Sequence, residues 1–428
     1  MHLRDDGNAG NSKRTENAMD SEKRKSTRRD FLKTGALGIA AGAFLPPALG
    51  AANREETGKG GEKKERTFVR RTLGRTGIAL PIVSYGAGGT SDPALLRAAL
   101  DAGLTHIDTA RSYARGNNEL MIGSVIKDRP RDSYVIGTKS ANRNVDNRTG
   151  IYKSTTTGEI FLRELDESLK ALGVEHVDIF YVHSAVRGES IEMDAVLKAF
   201  EQAKQSGKAR WIGISTHRNE PEVIRAAIRT KIWDVVLTSY NFRQPHLVEV
   251  EKSIAEAVAA GIGVVAMKTQ AGVFWDAAQK QPINMRASLK WSLRNENVAT
   301  AIPGITTLEQ LENDLAVMED LALSEAEKGD LKLGMAPPEP GLYCGQCGTC
   351  VAQCRSKLDI PTLMRSYMYA YGYRKPGQAR ETLAAANIRR VPCAKCPSCT
   401  VACALGFPVR ERAVDIARIT SVPEEFLG

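Results

Sequence analysis

Eight times between residues 68 and 334, a short run of β-branched and aromatic residues is followed by an amphipathic stretch with helical spacing. The runs are IVSYG, HID, YVIGTK, VDIFYVH, RWIGIS, WDVVLT, GVVAMK and VATAIPG, separated by segments such as DPALLRAALDAG and TGEIFLRELDESLKALG. Strands that are each followed by a helix pair in parallel. Eight such units over roughly 250 residues close into a (β/α)8 TIM barrel, an α/β fold whose chemistry lies at the C-terminal strand ends. Ahead of the first unit, FVRRTLGRTGIALP has turn residues between two β-prone pieces and predicts a hairpin that closes the barrel floor.

After the proline-rich LGMAPPEPGLY comes a second, smaller and mainly helical region, residues 335–428, which holds all eight cysteines of the 428-residue chain. Cys344, Cys347, Cys350 and Cys354 form one C-x2-C-x2-C-x3-C run, and Cys393, Cys396, Cys399 and Cys403 form another. Runs this tight make a poor disulfide framework and match bacterial-type 4Fe–4S ligation, with zinc and disulfides as the alternatives. The residue after the fourth cysteine, usually proline in that motif, is Arg355 in one run and Ala404 in the other. The intervening LDIPTLMRSYMYAYGYRKPGQARETLAAANI predicts two helices, one opening at Pro361 and one after Pro376. Tyr367 and Tyr371 share one helical face and Tyr369 and Tyr373 an adjacent one, read as packing around the clusters. Residues 344–428 carry 12 Lys/Arg against 6 Asp/Glu without a dense basic run interleaved with stacking aromatics, which argues against a nucleic-acid surface. Compensation of anionic clusters accounts for that excess. The region resembles the all-helical two-cluster ferredoxin domains. The resemblance implies crossed ligation, with Cys344, Cys347, Cys350 and Cys403 in one set and Cys393, Cys396, Cys399 and Cys354 in the other.

Residues 1–52 read as an export signal. STRRDFLK, with the Arg28-Arg29 pair followed by Phe31, Leu32 and Lys33, precedes the small-residue apolar run TGALGIAAGAFLPPALGAA, and resembles the twin-arginine signal. The apolar run is too short and too weakly hydrophobic for a good membrane span, and the small residues around Ala48 to Ala52 offer a cleavage site. Residues 53–67 read as a linker. The twin-arginine route carries folded proteins and so suits a chain whose cofactor is inserted in the cytoplasm. The expectation is a periplasmic protein without a stable membrane span after cleavage, with the twin-arginine export machinery as a partner.

Four polar residues stand at or just beyond barrel strand ends: Asp108, Lys139 and His183 after the second, third and fourth runs, and Tyr113 in DTARSYARGNNE. In LGRTGIALPIVSYG, DTARSYARGNNELMIG, VIGTKS, DIFYVH, WIGIST and IPGITTLEQLE, in that order, the barrel resembles the aldo-keto reductases. Reducing a carbonyl leaves negative charge on oxygen, so a proton donor must stand beside it. A phenol of pKa about 10 becomes a better acid beside an ammonium group, the role expected of Lys139 toward Tyr113. Asp108 would hold Lys139 in place, and His183 would donate a hydrogen bond that orients the carbonyl.

The resemblance also points to a nicotinamide cofactor. The positions matching a Ser-Asn pair, an amide-binding Gln and a stacking aromatic are Ser215, Thr216, Leu237 and Met267, and three of these four differ from the common pattern. The backbone of Gly304, Ile305, Thr306 and Thr307 opens a helix and is expected to bind a phosphate. Gln310 stands where NADP-preferring members often place an arginine, and Asn313-Asp314 where a Glu-Asn pair usually meets the adenine. NAD(P)H is therefore an open assignment, while two 4Fe–4S clusters are the expected cofactors. Hydride moves two electrons and a cluster moves one, yet no G-x-G-x-x-G marks an FAD domain, which brings an electron-transfer protein into the expected partners. The expected activity is oxidoreduction of a small carbonyl or alcohol substrate. The alternative is an electron-transfer or binding protein that uses a barrel with a lapsed nicotinamide site as scaffold.

Overall fold

A computed structural model describes residues 68–140, 144–146, 149–244, 246–272, 274, 280, 282–335 and 341–427. The export signal and linker lie outside these residues. An antiparallel hairpin, β1 (Arg70–Thr72) with β2 (Ala79–Pro81), comes first, as the sequence predicts. Eight parallel strands follow: β3 (Tyr85–Gly86), β4 (His106–Asp108), β5 (Val135–Ser140), β6 (Val177–Val182), β7 (Ala209–Thr216), β8 (Val235–Ser239), β9 (Gly263–Met267) and β10 (Thr300–Ala301). Each pairs with the next, and parallel bridges Val83 to Ala301 and Gly86 to Gly304 join the last strand to the first. All eight predicted runs become strands because each offers β-branched residues to two buried faces at once.

Outside the strands lie α1 (Pro93–Asp101), α2 (Asn117–Ile126), α3 (Glu159–Leu172), α4 (Gly188–Ile191), α5 (Asp194–Gln205), α6 (Glu220–Thr230), α7 (Leu247–Ala259), α8 (Met285–Leu293), α9 (Leu308–Glu319) and α10 (Glu325–Met335). The apolar stripe of α3, Phe161, Leu165, Leu169 and Leu172, shows how these helices bury one face against the sheet. Inside the barrel, Ile179, Tyr181, Val235, Leu237, Val265 and Ile302 pack on Leu73 and Leu80 of the hairpin, which plugs the floor. Gly74 takes a left-handed φ of 49° there, and a Cβ on it would stand 2.3 Å from the Gly263 nitrogen, so only glycine lets the hairpin approach this closely. Arg71 donates to the carbonyls of Leu293, Asn295 and Val298 and ties the plug to the barrel wall.

The C-terminal region contains α11 (Ile360–Tyr367), a π-helical turn over Met368–Gly372, α12 (Pro376–Ala385) and α13 (Val409–Ala417). Its own core joins Ile360, Leu363, Leu383, Phe407, Ala413 and Ile416, with Cys344, Cys350, Cys354, Cys393 and Cys403 packed against it. The described residues belong to one compact unit, in which this region lies against the barrel. Among the described residues no helix is long and apolar enough to cross a membrane.

Candidate active site and cysteine centres

The C-terminal ends of β4, β5 and β6 bring the four predicted side chains together. Asp108 ends β4 and Lys139 lies on β5, both only 2% exposed, and the Lys139 ammonium donates to Asp108 Oδ1 and to the Thr109 carbonyl at 2.7 Å. Burial works against the charge of Lys139, but Asp108 and Tyr113 outweigh it and hold the ammonium above its ordinary pKa. Tyr113 opens a short 3-10 turn after β4, its ring centroid 5.2 Å from Lys139 Nζ. His183 follows β6 and meets the Tyr113 ring edge-on at 5.8 Å between centroids. Gly88 backs the same ring, since a Cβ there would stand 3.0 Å from Tyr113 Cε2.

One expectation is corrected here. Lys139 does pull the Tyr113 phenol down, but burial is the larger effect and the net displacement is upward. Tyr113 is thus a neutral hydroxyl that can donate a proton without first losing it. His183 is pushed down to about 3 by burial, with Lys139 and Arg365 adding to the effect, so it stays neutral and offers a single N–H. Its Nδ1 lies 3.4 Å from the Ser112 hydroxyl.

The positions read as a nicotinamide site are largely committed elsewhere. The Ser215 hydroxyl accepts the Ser184 N–H at 2.8 Å, and Thr216 donates to the Arg218 carbonyl at 3.0 Å. Leu237 is fully buried in the apolar barrel interior, with Met267 packed against the same cluster. At the start of α9, Thr307 caps the helix by accepting the Gln310 N–H at 3.1 Å, while Gln310 Oε1 accepts the Thr306 N–H at 2.8 Å. The chain itself therefore occupies one of the donors expected to meet a phosphate. Ile305 is buried, and Gly304 bridges to Gly86. Asn313 is exposed, but Asp314 faces inward at 6% exposure and so does not face an adenine site. These groups fit a nicotinamide cofactor poorly.

The eight cysteines are free of disulfides and gather around two cavities. Cys354, Cys393, Cys396 and Cys399 line one, with Arg355 and Arg410. Cys344, Cys347, Cys350 and Cys403 line the other. Each set takes three thiols from one run and the last from the other. Gln353 stitches the runs together, its carbonyl accepting from Thr400 and its side chain from the Ala402 N–H, both at 2.6 Å. The Gln346 and Leu405 N–H groups point at the Cys344 and Cys403 sulfurs at 3.4 Å. Among the described residues no three or more His, Cys, Asp or Glu are gathered as a single metal ion requires. Four thiols are the donor set that a 4Fe–4S cluster or a zinc ion takes.

The C-terminal region also reaches the barrel mouth, which sequence reasoning missed. Arg218, after β7, pairs with Asp359 at 3.3 Å, and Arg365 Nη1 lies 3.4 Å from His217 Nε2. The Tyr343 hydroxyl accepts the Phe274 N–H at 3.0 Å. Tyr369 lies by Lys268 at this mouth and Tyr373 meets Tyr343, while Tyr367, paired with Tyr371 at 4.5 Å, packs against the cysteine-bearing core, as part of Tyr369 also does. The alternating tyrosines were the available signal, but periodicity gives faces and not what they meet.

Residues 90–288 match the aldo/keto reductase family. Over 333 residues the chain is 27% identical to the L-glyceraldehyde 3-phosphate reductase of Escherichia coli K12, covering 64% of this chain and 94% of that protein. It is 24% identical to the L-galactose dehydrogenase of Arabidopsis thaliana over 59% of this chain and 88% of that one. An aldo-keto reductase from Klebsiella pneumoniae, solved in complex with NADPH, superposes with a TM-score of 0.50 at 23% identity, over 63% of this chain and 96% of its own, a likeness of fold. The chain is thus similar to aldo-keto reductases over its barrel, and is an oxidoreductase.

Proposed function

We propose that this oxidoreductase interconverts a small carbonyl compound and its alcohol at the mouth of the barrel, with Tyr113 as proton donor. The carrying observation is the buried Asp108–Lys139 pair against the Tyr113 ring, with neutral His183 beside it. Reduction puts two electrons and one proton on the carbonyl carbon and a second proton on its oxygen; an external reductant, a low-potential electron carrier or a hydride donor, supplies the electrons, and that donor or water supplies the carbon-bound proton. Tyr113 hands one proton to the carbonyl oxygen, and the adjacent Lys139 ammonium stabilises the phenolate that remains. The His183 N–H orients that oxygen, and Asp108 keeps Lys139 charged. Leu237, Met267 and Thr306, whose N–H is taken by Gln310, leave few groups to hold a nicotinamide.

Two 4Fe–4S clusters are proposed as the resident cofactors, one held by Cys344, Cys347, Cys350 and Cys403 and one by Cys393, Cys396, Cys399 and Cys354. The two four-thiol cavities and the arginines beside them support this. Such clusters supply electrons one at a time, which calls for an electron-transfer partner. Export by the twin-arginine route to the periplasm completes the reading, and rests on the sequence from Ser26 to Lys33.

The test is anaerobic purification of the full chain followed by iron and sulfide analysis and carbonyl turnover with a low-potential electron donor and, separately, with NADPH. The expected result is about eight irons, with donor-dependent turnover that falls by at least a hundredfold in Tyr113→Phe. Stoichiometric zinc would end the cluster proposal, and turnover indifferent to Tyr113→Phe would end the proton-donor role. Replacing Arg28 and Arg29 together by Lys is expected to hold the protein in the cytoplasm, checked by fractionation, because a receptor reads the pair itself.

A further inference from the structure

Three cations from two parts of the chain converge beside the proposed active site without a carboxylate. Lys268 follows β9 with a left-handed φ of 57°, and its Nζ lies 5.9 Å from the centre of the Tyr369 ring. Arg365, on α11, approaches His217 Nε2 at 3.4 Å. Lys375 donates its backbone N–H to the Tyr369 carbonyl at 2.8 Å, and its ammonium sits over Gly89, where a Cβ would be 2.7 Å away. Gly89 neighbours Gly88, which backs Tyr113, so this cluster and the proton donor share one rim.

Arg218, Arg115 and Lys139, by contrast, are paired with Asp359, Glu424 and Asp108. Among the described residues no carboxylate lies within ion-pair distance of Lys268, Arg365 or Lys375. All three are half-buried, so water screens them only in part. The Tyr369 hydroxyl and the His217 ring stand in their midst. Burial alone would push that phenol up, but Lys268, Arg365 and Lys375 outweigh it and hold it below its ordinary value. The same positive field reaches inward, since Arg365 helps keep His183 neutral, and Arg365 and Lys268 do the same for His217.

We propose that Lys268, Arg365 and Lys375, with the Tyr369 hydroxyl, bind a carboxylate or phosphate group that the substrate carries near its reacting carbonyl. The proposal rests on the oxidoreductase reading of the Tyr113 site and names its substrate class: an anionic aldehyde, ketone or alcohol. The C-terminal region thereby contributes two cations and a hydroxyl to substrate recognition, and the barrel contributes the third cation. Tyr369, Arg365 and Lys375 are binding and positioning groups, while Tyr113 remains the proton donor.

The test is calorimetric titration of anaerobically purified full chain with inorganic phosphate, in wild type, Lys268→Gln, Arg365→Gln, Lys375→Gln and Lys268→Arg. Cluster absorbance and thermal melts check that each variant is folded. Saturable binding in the wild type, weakened at least fivefold by each Gln variant and kept by Lys268→Arg, is the expected result. Glyceraldehyde 3-phosphate should displace phosphate, whereas glyceraldehyde should not. Tyr113→Phe should bind phosphate as the wild type does, which separates this site from the proton-donor reading: turnover can fail there while binding stands. Absence of binding, or binding equal in wild type and Gln variants, overturns the proposal. Displacement of phosphate by NADPH overturns the assignment to substrate, because the cations would then serve a cofactor's phosphates.

Discussion

Asp314 shows how one buried carboxyl, away from the proposed chemistry, sets a pH dependence. It sits on the inner face of α9 at 6% exposure, and burial pushes its pKa from 3.8 up to about 7. Between those values the folded chain binds a proton that the unfolded chain releases. Its contribution to stability is therefore fully present below about pH 4 and is lost as the pH rises through about 7. Asp314→Asn should remove that dependence and raise stability at pH 8.5 by roughly 2–4 kcal/mol, at about 1.4 kcal/mol per unit of displacement. Urea unfolding of both proteins at pH 5 and pH 8.5 checks this, and equal differences at the two values would show that the carboxyl ionises without cost. At the active site the same desolvation has another use. It keeps the Tyr113 hydroxyl protonated and His183 neutral, while Lys139 keeps its charge through its pairing with Asp108.

At the scale of elements, α11 ties the C-terminal region to the barrel. Asp359 caps it, accepting the Thr362 N–H at 3.3 Å and the Thr362 hydroxyl at 2.6 Å, and also pairs with Arg218, both partners being 13% exposed. A pair this enclosed is worth more than a surface ion pair, and removing one member leaves the other charge poorly solvated. Asp359→Ala should cost about 2–4 kcal/mol, the loss of cap and pair together. Asp359→Asn keeps a capping oxygen and should cost less. Denaturant unfolding orders the two variants, and equal losses would assign the whole effect to the ion pair. The π-helical turn after α11 then places Tyr369 at the barrel mouth while leaving Tyr367 by the cysteine core, beneath Arg412 at 4.9 Å. One short segment thus faces both centres.

At the scale of the whole molecule, the C-terminal region folds across itself, because the last cysteine of each run completes the other's set. The crossing predicts an outcome for paired substitutions. Cys354→Ser with Cys393→Ser removes two thiols from one cavity and should leave about half the iron, as one intact cluster. Cys354→Ser with Cys344→Ser strikes both cavities and should leave little. Iron analysis with electron paramagnetic resonance of the reduced proteins distinguishes them, and the reverse order of losses would show uncrossed ligation. The positive excess of this region is divided accordingly, with Arg355 and Arg410 lining one cavity, Arg412 beside Cys344 and Cys403, and Arg365 and Lys375 turned to the barrel.

Much of this was legible in the chain itself. Eight β-branched runs, each with its helix, dictate a parallel barrel because burial on both faces and right-handed crossovers leave few other arrangements. Strand-end position places Asp108, Lys139 and His183 on one rim, and spacing alone marks the eight cysteines as two four-thiol runs. What periodicity could not supply was the balance of long-range effects. Whether Lys139 or desolvation governs the Tyr113 phenol depends on how deeply the ring is buried, and that depth is set by Gly88 and by residues far along the chain. The Gln310 side chain folding back on Thr306, and the cations of α11 and Lys375 meeting Lys268, are likewise contacts between segments whose spacing in sequence carries no distance. Local pattern settled the elements and their order, and only tertiary packing decided which charges share a site, because Coulombic and desolvation effects depend on separation in space.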